Sequence, residues 1–307
     1  MRPRHLLPLF ALLALGSTWA QPLVTAYRTP TPVVVDGRLD DSGWQTASVC
    51  GPFLPASAQA LDARTQALVC WDADYLYVAY ECFDRYLDPA LQQMDRVRAT
   101  VRDHDGNVFG DDCVELFLEV TAGGWYQFAA NSLGTPWESR NGDPAWNGPW
   151  EVAARRGADR YVVELRVPWA TLGVKGAADL TLGANFCRER TAVEELSTWS
   201  GLRGAFNQSG YWGKLRLADS GPALRQSSLT GTVSTRRLLE GEAVGVADPA
   251  LALELSLVSN GSPGRTYRVP FTPVDKRLRA RQEVVLPGEV LQGGKLSYHL
   301  ALRAGDQ

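Results

Sequence analysis

Apolar and polar residues alternate with a period of two over many short stretches of this chain. The pattern is clearest after Gly110, where Val114, Leu116 and Leu118 alternate with Glu115, Phe117 and Glu119. A two-residue period places one row on a core face and the other on an outer face or in a cleft. Turn-forming residues then separate this run from a second one. Val114–Val120 and Trp125–Asn131 are joined by Thr121-Ala122-Gly123-Gly124, which predicts a hairpin. Ala67–Trp71 and Tyr75–Glu81, joined by Asp72-Ala73-Asp74, predict another. Trp150–Arg155 and Arg160–Val167, joined by Gly157-Ala158-Asp159, predict a third. Strands are also expected over Leu182–Arg190 and Gly213–Leu217, with a short helical turn at Trp169–Leu172 after Pro168. Pro89–Arg98 is the best candidate for a helical period, and it is short. Repeated short strands between turn signals predict an all-β fold, a sandwich or a barrel.

The pattern breaks at Ala218-Asp219-Ser220-Gly221-Pro222. Beyond the break there is no Trp, and the aromatics are Phe271, Tyr267 and Tyr298. Alternating runs continue at Ala250–Val258, Thr266–Pro270, Gln282–Leu286 and Leu296–Leu302. The expected organisation is a main β domain over residues 24–218 and a smaller β-rich C-terminal domain over 224–307.

Composition refines this picture. The chain has 307 residues, 45% of them hydrophobic, which is enough for a sizeable core. Ten Trp and ten Tyr beside 18 Pro and 29 Gly favour the all-β reading. A net charge of −3 offers no basic field for a nucleic acid. At the N-terminus, Arg2 and Arg4 precede an apolar run from Leu6 to Leu15, and Ser17-Thr18-Trp19-Ala20 supplies small residues for cleavage. Residues 1–20 are therefore expected to be a signal peptide, leaving an exported periplasmic or extracellular protein with no membrane anchor after cleavage. Five cysteines, Cys50, Cys70, Cys82, Cys113 and Cys187, allow at most two bridges. Cys70 and Cys82 flank one hairpin, but a turn at Asp72–Tyr75 sets Cys70 opposite Tyr77 instead.

Candidate chemistry gathers near the first run. Glu115 and Glu119 share a row with Phe117, which suits either a sugar-binding platform or a solvated strand face. Asp111 and Asp112 are sequence neighbours on a strand, so they point to opposite faces and make a poor acid/base dyad. With Asp103 and Asp105 they offer hard oxygens for a structural calcium ion, and the alternative is an ordinary Asp/Gly turn. The segment from Gly134 to Pro149, together with Trp150, carries Trp137, Trp146 and Trp150, and reads as a loop forming a ligand lip.

Residues 24–217 resemble the family 9 carbohydrate-binding module. The resemblance begins with Val35-Asp36-Gly37-Arg38-Leu39-Asp40-Asp41 and Trp44, and continues with Trp71-Asp72, Tyr75-Leu76-Tyr77-Val78. It passes through Asp111-Asp112-Cys113-Val114-Glu115-Leu116-Phe117, then Gln127-Phe128-Ala129-Ala130-Asn131, then Val163-Glu164 and Val167-Pro168. It closes on Trp212-Gly213-Lys214-Leu215-Arg216-Leu217. The resemblance implies an antiparallel, jelly-roll-like β-sandwich that holds a polysaccharide or oligosaccharide, of xylan or glucan type, between two aromatic rings. Pyranose C–H faces pack on such rings while a few polar groups bond the hydroxyls. The implied stacking positions are Phe109 and Phe206, and the implied pocket carboxylate is Glu115. The family's pocket Arg falls on Ala129. Asn131 is read in two ways, as orienting a sugar hydroxyl or as satisfying a loop backbone. Arg203, with Arg188 and Arg190, is read either as lining the cleft in place of the missing Arg or as forming surface ion pairs with Glu194 and Glu195.

The function implied is an exported, non-catalytic sugar-binding protein or module serving polysaccharide breakdown, with no required cofactor and with a catalytic glycosidase as partner. One alternative is a haem-binding electron-transfer sandwich, since the haem subunits of some periplasmic dehydrogenases are similar and use Met and Lys ligands. Met94, Lys175 and Lys214 are the residues of those types weighed for that role. A second is adhesion or assembly by a sandwich whose sugar pocket has degenerated. A third, a hydrolase, finds no carboxylate dyad and no nucleophile motif, and His104 and His299 stand apart from any.

Overall fold

The computed structural model describes residues 21–57, 61, 63–84, 97–120, 124–230, 236–245, 249–259, 262–275, 277–287 and 297–304. The expected signal peptide, most of the Pro89–Arg98 segment and Met94 lie outside them.

The main sheet is built from thirteen strands. These are β1 (Leu23–Arg28), β2 (Ser48–Cys50), β3 (Leu54–Pro55), β4 (Thr65–Trp71), β5 (Tyr75–Phe83), β6 (Cys113–Val120) and β7 (Gly124–Asn131). They continue with β8 (Pro136–Arg140), β9 (Glu151–Arg156), β10 (Arg160–Pro168), β11 (Thr181–Arg190), β12 (Glu195–Thr198) and β13 (Gly213–Ala218). The order β8-β7-β6-β11-β13-β1-β4-β5-β10-β9 folds over at β1 into two layers. β1 makes the turn-over by pairing in parallel with β13 on one side and β4 on the other. The other pairings in this order are antiparallel. This is an all-β sandwich, one of the two architectures that the alternation predicted and the one that the family resemblance implies.

The inward rows fill the space between the layers. Val114, Leu116 and Leu118 of β6 meet Val78 and Tyr80 of β5, Val163 and Leu165 of β10, and Phe186 of β11. Tyr80 spans the layers, with its ring 6.3 Å from Phe186 and its hydroxyl donating to the Glu115 carbonyl at 2.8 Å. Each such large apolar side chain contributes about 1.5–3 kcal/mol on burial. On the side away from β1, the edges β8 and β9 face one another. There Trp146 and Trp150 close the sandwich by packing on Phe128 at 6.2 and 5.3 Å.

The opening motif covers the outer surface of β4, β5 and β10. Trp44, Val33 and Ala47 pack there on Cys70, Tyr77 and Ala79. Beneath them Glu164 accepts bonds from the Trp44 indole at 2.7 Å and the Asp36 and Gly37 amides at 2.9 and 2.7 Å. Gly37 adopts φ +80°, and a Cβ there would stand 2.8 Å from that of Arg155, so only glycine fits. The five cysteines are buried and unpaired, and Cys70 lies opposite Tyr77 as the turn register required.

After Ala218 the chain forms β14 (Ala223–Thr230), β15 (Arg236–Val244), β16 (Leu251–Ser259), β17 (Ser262–Pro270), β18 (Thr272–Val274), β19 (Arg277–Val285) and β20 (Ser297–Ala304). They make a four-stranded and a three-stranded sheet with their own apolar cluster around Leu239, Leu253, Leu255 and Ala280. A cavity of about 170 Å³ lies within the contact between this unit and the sandwich, lined by Val24, Trp199 and Arg216 on one side and Leu224, Leu251 and Leu300 on the other. No helix among the described residues is long and apolar enough to cross a membrane.

Candidate functional site

The outer face of β6, β7, β8 and β11 brings the predicted residues into relation. Strand register sets Cys187, Glu115, Ala129 and Trp137 side by side in one row, and Asn185, Phe117, Gln127 and Ser139 in the next. Trp137 is half-buried and lies edge-on to Phe109, with ring centroids 4.8 Å apart. Phe109 is also half-buried, in the short turn before β6. The sequence placed Trp137 in a lip loop; it is in fact in strand β8, opposite Ala129. The side chain that the pocket Arg would occupy is thus replaced by a methyl group flanked by an indole. Trp146 and Trp150 are not lip residues, because they plug the sandwich edge.

Glu115 is only 3% exposed. Its carboxyl accepts from the Gln127 amide at 2.6 Å. Burial, and then the adjoining Glu189 carboxyl, push its pKa well above the usual carboxylate range. Glu189 is raised as well, again by burial. Two neighbouring acids without a cation resolve their conflict by retaining a proton. On the same face the Asn185 side-chain oxygen accepts from Thr198 at 2.6 Å, while its buried Nδ2 has no hydrogen-bond partner among the described residues. A buried amide donor left open is a free-energy cost unless a water or ligand oxygen meets it.

The far side of this face is covered. Leu202 and Phe206 pack with Trp212, Phe117 and Cys187. The Phe206 carbonyl accepts the Trp212 indole N–H at 2.7 Å. Phe206 is 7% exposed, so it acts as a packed wall and presents no open stacking face. Tyr211, in the turn just before Trp212, is 60% exposed. The sequence reading did not single it out. Arg203 is exposed, on the same covering segment.

Other predicted residues take structural roles. Asn131 is fully buried; its Nδ2 donates to the Val101 carbonyl at 2.8 Å and to Asp111 at 3.0 Å. Its Oδ1 accepts from Leu133 and Thr135 amides at 3.0 Å. Its hydrogen-bonding capacity is spent, which leaves nothing for a sugar hydroxyl. Asp111 accepts from the Thr100 and Val101 amides, the Thr100 hydroxyl and Asn131. Burial raises its pKa, but these bonds outweigh burial and hold it below the ordinary value. Asp112 accepts from the Arg98 and Thr191 amides at 2.8 and 2.6 Å, and burial dominates to raise it. The pair clamps the 98–101 segment to the sandwich. The four carboxylates named for calcium are not brought together. Among the described residues, the groups close enough to share an ion are His104–Asp105–Glu138 and Cys113–Glu115–Glu189. Asp103, Asp111 and Asp112 belong to neither.

Arg188 and Arg190 lie on the inward row of β11, opposite in facing to Glu115, so they cannot replace the pocket Arg. Both reach Asp84, at 3.4 and 3.0 Å, and Arg190 pairs with Glu195 at 3.0 Å. The two arginines are buried, so the expected surface ion pairs are interior ones. Of the haem candidates, Lys175 is exposed and Lys214 half-buried.

A sequence model of the family described as Carbohydrate family 9 binding domain-like matches residues 35–220. No curated protein matches the chain. Among solved structures, a candidate carbohydrate-binding protein from Bacteroides uniformis is 15% identical, with TM-score 0.51, covering 64% of this chain and 100% of its own. A family 9 carbohydrate-binding module from Caldicellulosiruptor kristjanssonii in complex with cellotriose is 15% identical, with TM-score 0.46, covering 65% of this chain and 95% of its own. The glucose complex from the same organism is 15% identical at TM-score 0.47, covering 65% and 97%.

Proposed function

The chain belongs to the carbohydrate family 9 binding domain-like family, and from that premise we propose that it is a non-catalytic saccharide-binding protein that uses the outer face of β6, β7 and β8. The observation that carries this reading is the half-buried Phe109–Trp137 pair beside Gln127, Glu115 and Glu189. The rings offer apolar faces to a pyranose, and the half-buried Gln127 and Glu189 offer bonds to hydroxyls. The ligand class is a glucan- or xylan-type polysaccharide or oligosaccharide. In this reading the protein is exported after cleavage at Ala20 and serves polysaccharide catabolism beside a catalytic partner.

Titration calorimetry against cello- and xylo-oligosaccharides tests the reading. Binding is expected, and Trp137→Ala or Phe109→Ala should weaken it about tenfold, near 1.4 kcal/mol. Absence of heat and of gel retardation at millimolar sugar would sink it. A second reading, adhesion or assembly by a closed sandwich, is favoured by the burial of Glu115 and Phe206 and by Ala129 at the Arg position. Sugar binding that survives both aromatic substitutions would place the ligand elsewhere on the surface.

A further inference from the structure

We propose that His104, Asp105 and Glu138 form a binding site for a divalent transition-metal ion of the zinc class, at the edge of the sandwich closed by Trp150. Glu138 lies in β8 on the inward row opposite Phe128, and its side chain is 1% exposed. The Trp150 indole N–H donates to its Oε2 at 2.8 Å and holds the carboxylate in place. His104 Nε2 stands 3.1 Å from both Glu138 oxygens and 3.6 Å from Asp105 Oδ1. The donor atoms of the three residues all lie within 4.8 Å of one another.

These spacings suit an ion. Zinc bonds to nitrogen and oxygen of about 2.0–2.2 Å place tetrahedral ligand atoms about 3.3–3.6 Å apart, and His104 stands 3.1 Å from Glu138 and 3.6 Å from Asp105. One imidazole with two carboxylates is a donor set for zinc, cobalt, nickel or manganese, whereas calcium takes oxygen ligands alone. The two supporting segments are already tied, since the Asp105 amide donates to the Pro136 carbonyl at 3.2 Å. Trp150 supplies the kind of outer hydrogen bond that orients metal carboxylates. His104 and Asp105 are exposed, so solvent reaches the site and can complete the coordination. Trp137 and Glu138 are neighbours on β8 with opposite facing. The ion therefore sits behind the aromatic pair, and its binding does not depend on the saccharide reading.

The test is calorimetric titration of the untagged, metal-stripped protein with zinc chloride, followed by the absorption spectrum of the cobalt form. One ion per chain is expected, bound at least tenfold more weakly by His104→Ala and by Glu138→Gln, with no thiolate-to-cobalt absorption. His104 is also the partner of the buried Glu138 carboxylate, so His104→Ala is expected to melt earlier without metal, and its affinity is read well below that melt, where the chain is folded. No binding of zinc or cobalt at millimolar concentration would overturn the proposal. So would unchanged affinity in both variants, or a thiolate band, which would place the ion at Cys113.

Discussion

Glu115 combines two properties that usually conflict: it lies on the face proposed for sugar, and it is buried beside a second acid. Its pKa is raised by burial first and by Glu189 next, with the Gln127 amide opposing both. Cys113 and Cys187 complete its surroundings, and burial raises both thiols, so no cation faces it from them. The unfolded chain gives up this proton near pH ~4.3. Above that pH the native state holds a proton that the unfolded state has lost, so this group's contribution to stability is full below the unfolded value and falls as pH rises. Glu115→Gln should therefore raise the urea midpoint at pH 7 and flatten its decline from pH ~4.5 upward, while weakening saccharide binding. Wild-type stability that climbs over that window by an amount Glu115→Gln removes would contradict this assignment. A group that costs stability yet sits on the proposed binding face fits the usual exchange between stability and function. Asn131 behaves in the opposite way. All four of its bonds are internal, so Asn131→Ala should lower stability by about 2 kcal/mol or more and leave sugar affinity unchanged in the folded fraction.

At the scale of elements, the motifs that identify the family are mostly joints. The Val35–Trp44 segment and the Val163–Glu164 strand are far apart in the chain, yet Glu164 binds Trp44, Asp36 and Gly37. Trp44→Phe removes one of these bonds, and a cost of about 1–3 kcal/mol is expected in chemical denaturation. Glu164→Ala strands all three donors in a buried setting and should cost more than Trp44→Phe. Equal losses would mean that indole packing, rather than the carboxylate, holds the segment. The Asp111–Asp112 motif is another joint, fixing the 98–101 segment ahead of the Phe109 turn. Family resemblance at these positions therefore reports the fold, while the proposed ligand face rests on Phe109, Gln127 and Trp137, only some of which lie in a motif.

At the scale of the molecule, the sandwich and the C-terminal sheets have separate apolar clusters. They meet through the cavity-lined contact and through Arg225, whose guanidinium donates to the Trp44 and Ala47 carbonyls. Burial lowers the pKa of this arginine, the mark of a charge drawn out of water for those bonds. Arg225→Ala leaves two carbonyls without their donor. Limited proteolysis should then cut faster near Asp219–Pro222, with sugar binding preserved. Unchanged cleavage would mean that apolar contact alone joins the two units.

The sequence by itself determined many of the strands, one hairpin register and the family, because side-chain alternation and turn residues act locally and survive without knowledge of partners. Cys70 opposite Tyr77 is the register, and the pairing of β6 with β7 is a hairpin it identified, although Gly124 belongs to β7 and not to the loop. It also identified Glu115 and Phe109 as members of one face. Only the tertiary structure decided which outward rows are covered. Alternation cannot separate an outer face open to water from one sealed by a distant segment, as Leu202 and Phe206 seal Phe117. Nor does it reveal that β11 turns Arg188 and Arg190 inward to Asp84. Burial of a charge depends on a partner supplied from elsewhere in the chain, and local pattern carries no record of that partner. The same reason hid His104 and Glu138 from one another: they lie on separate segments, and only packing sets His104 Nε2 3.1 Å from the Glu138 carboxylate.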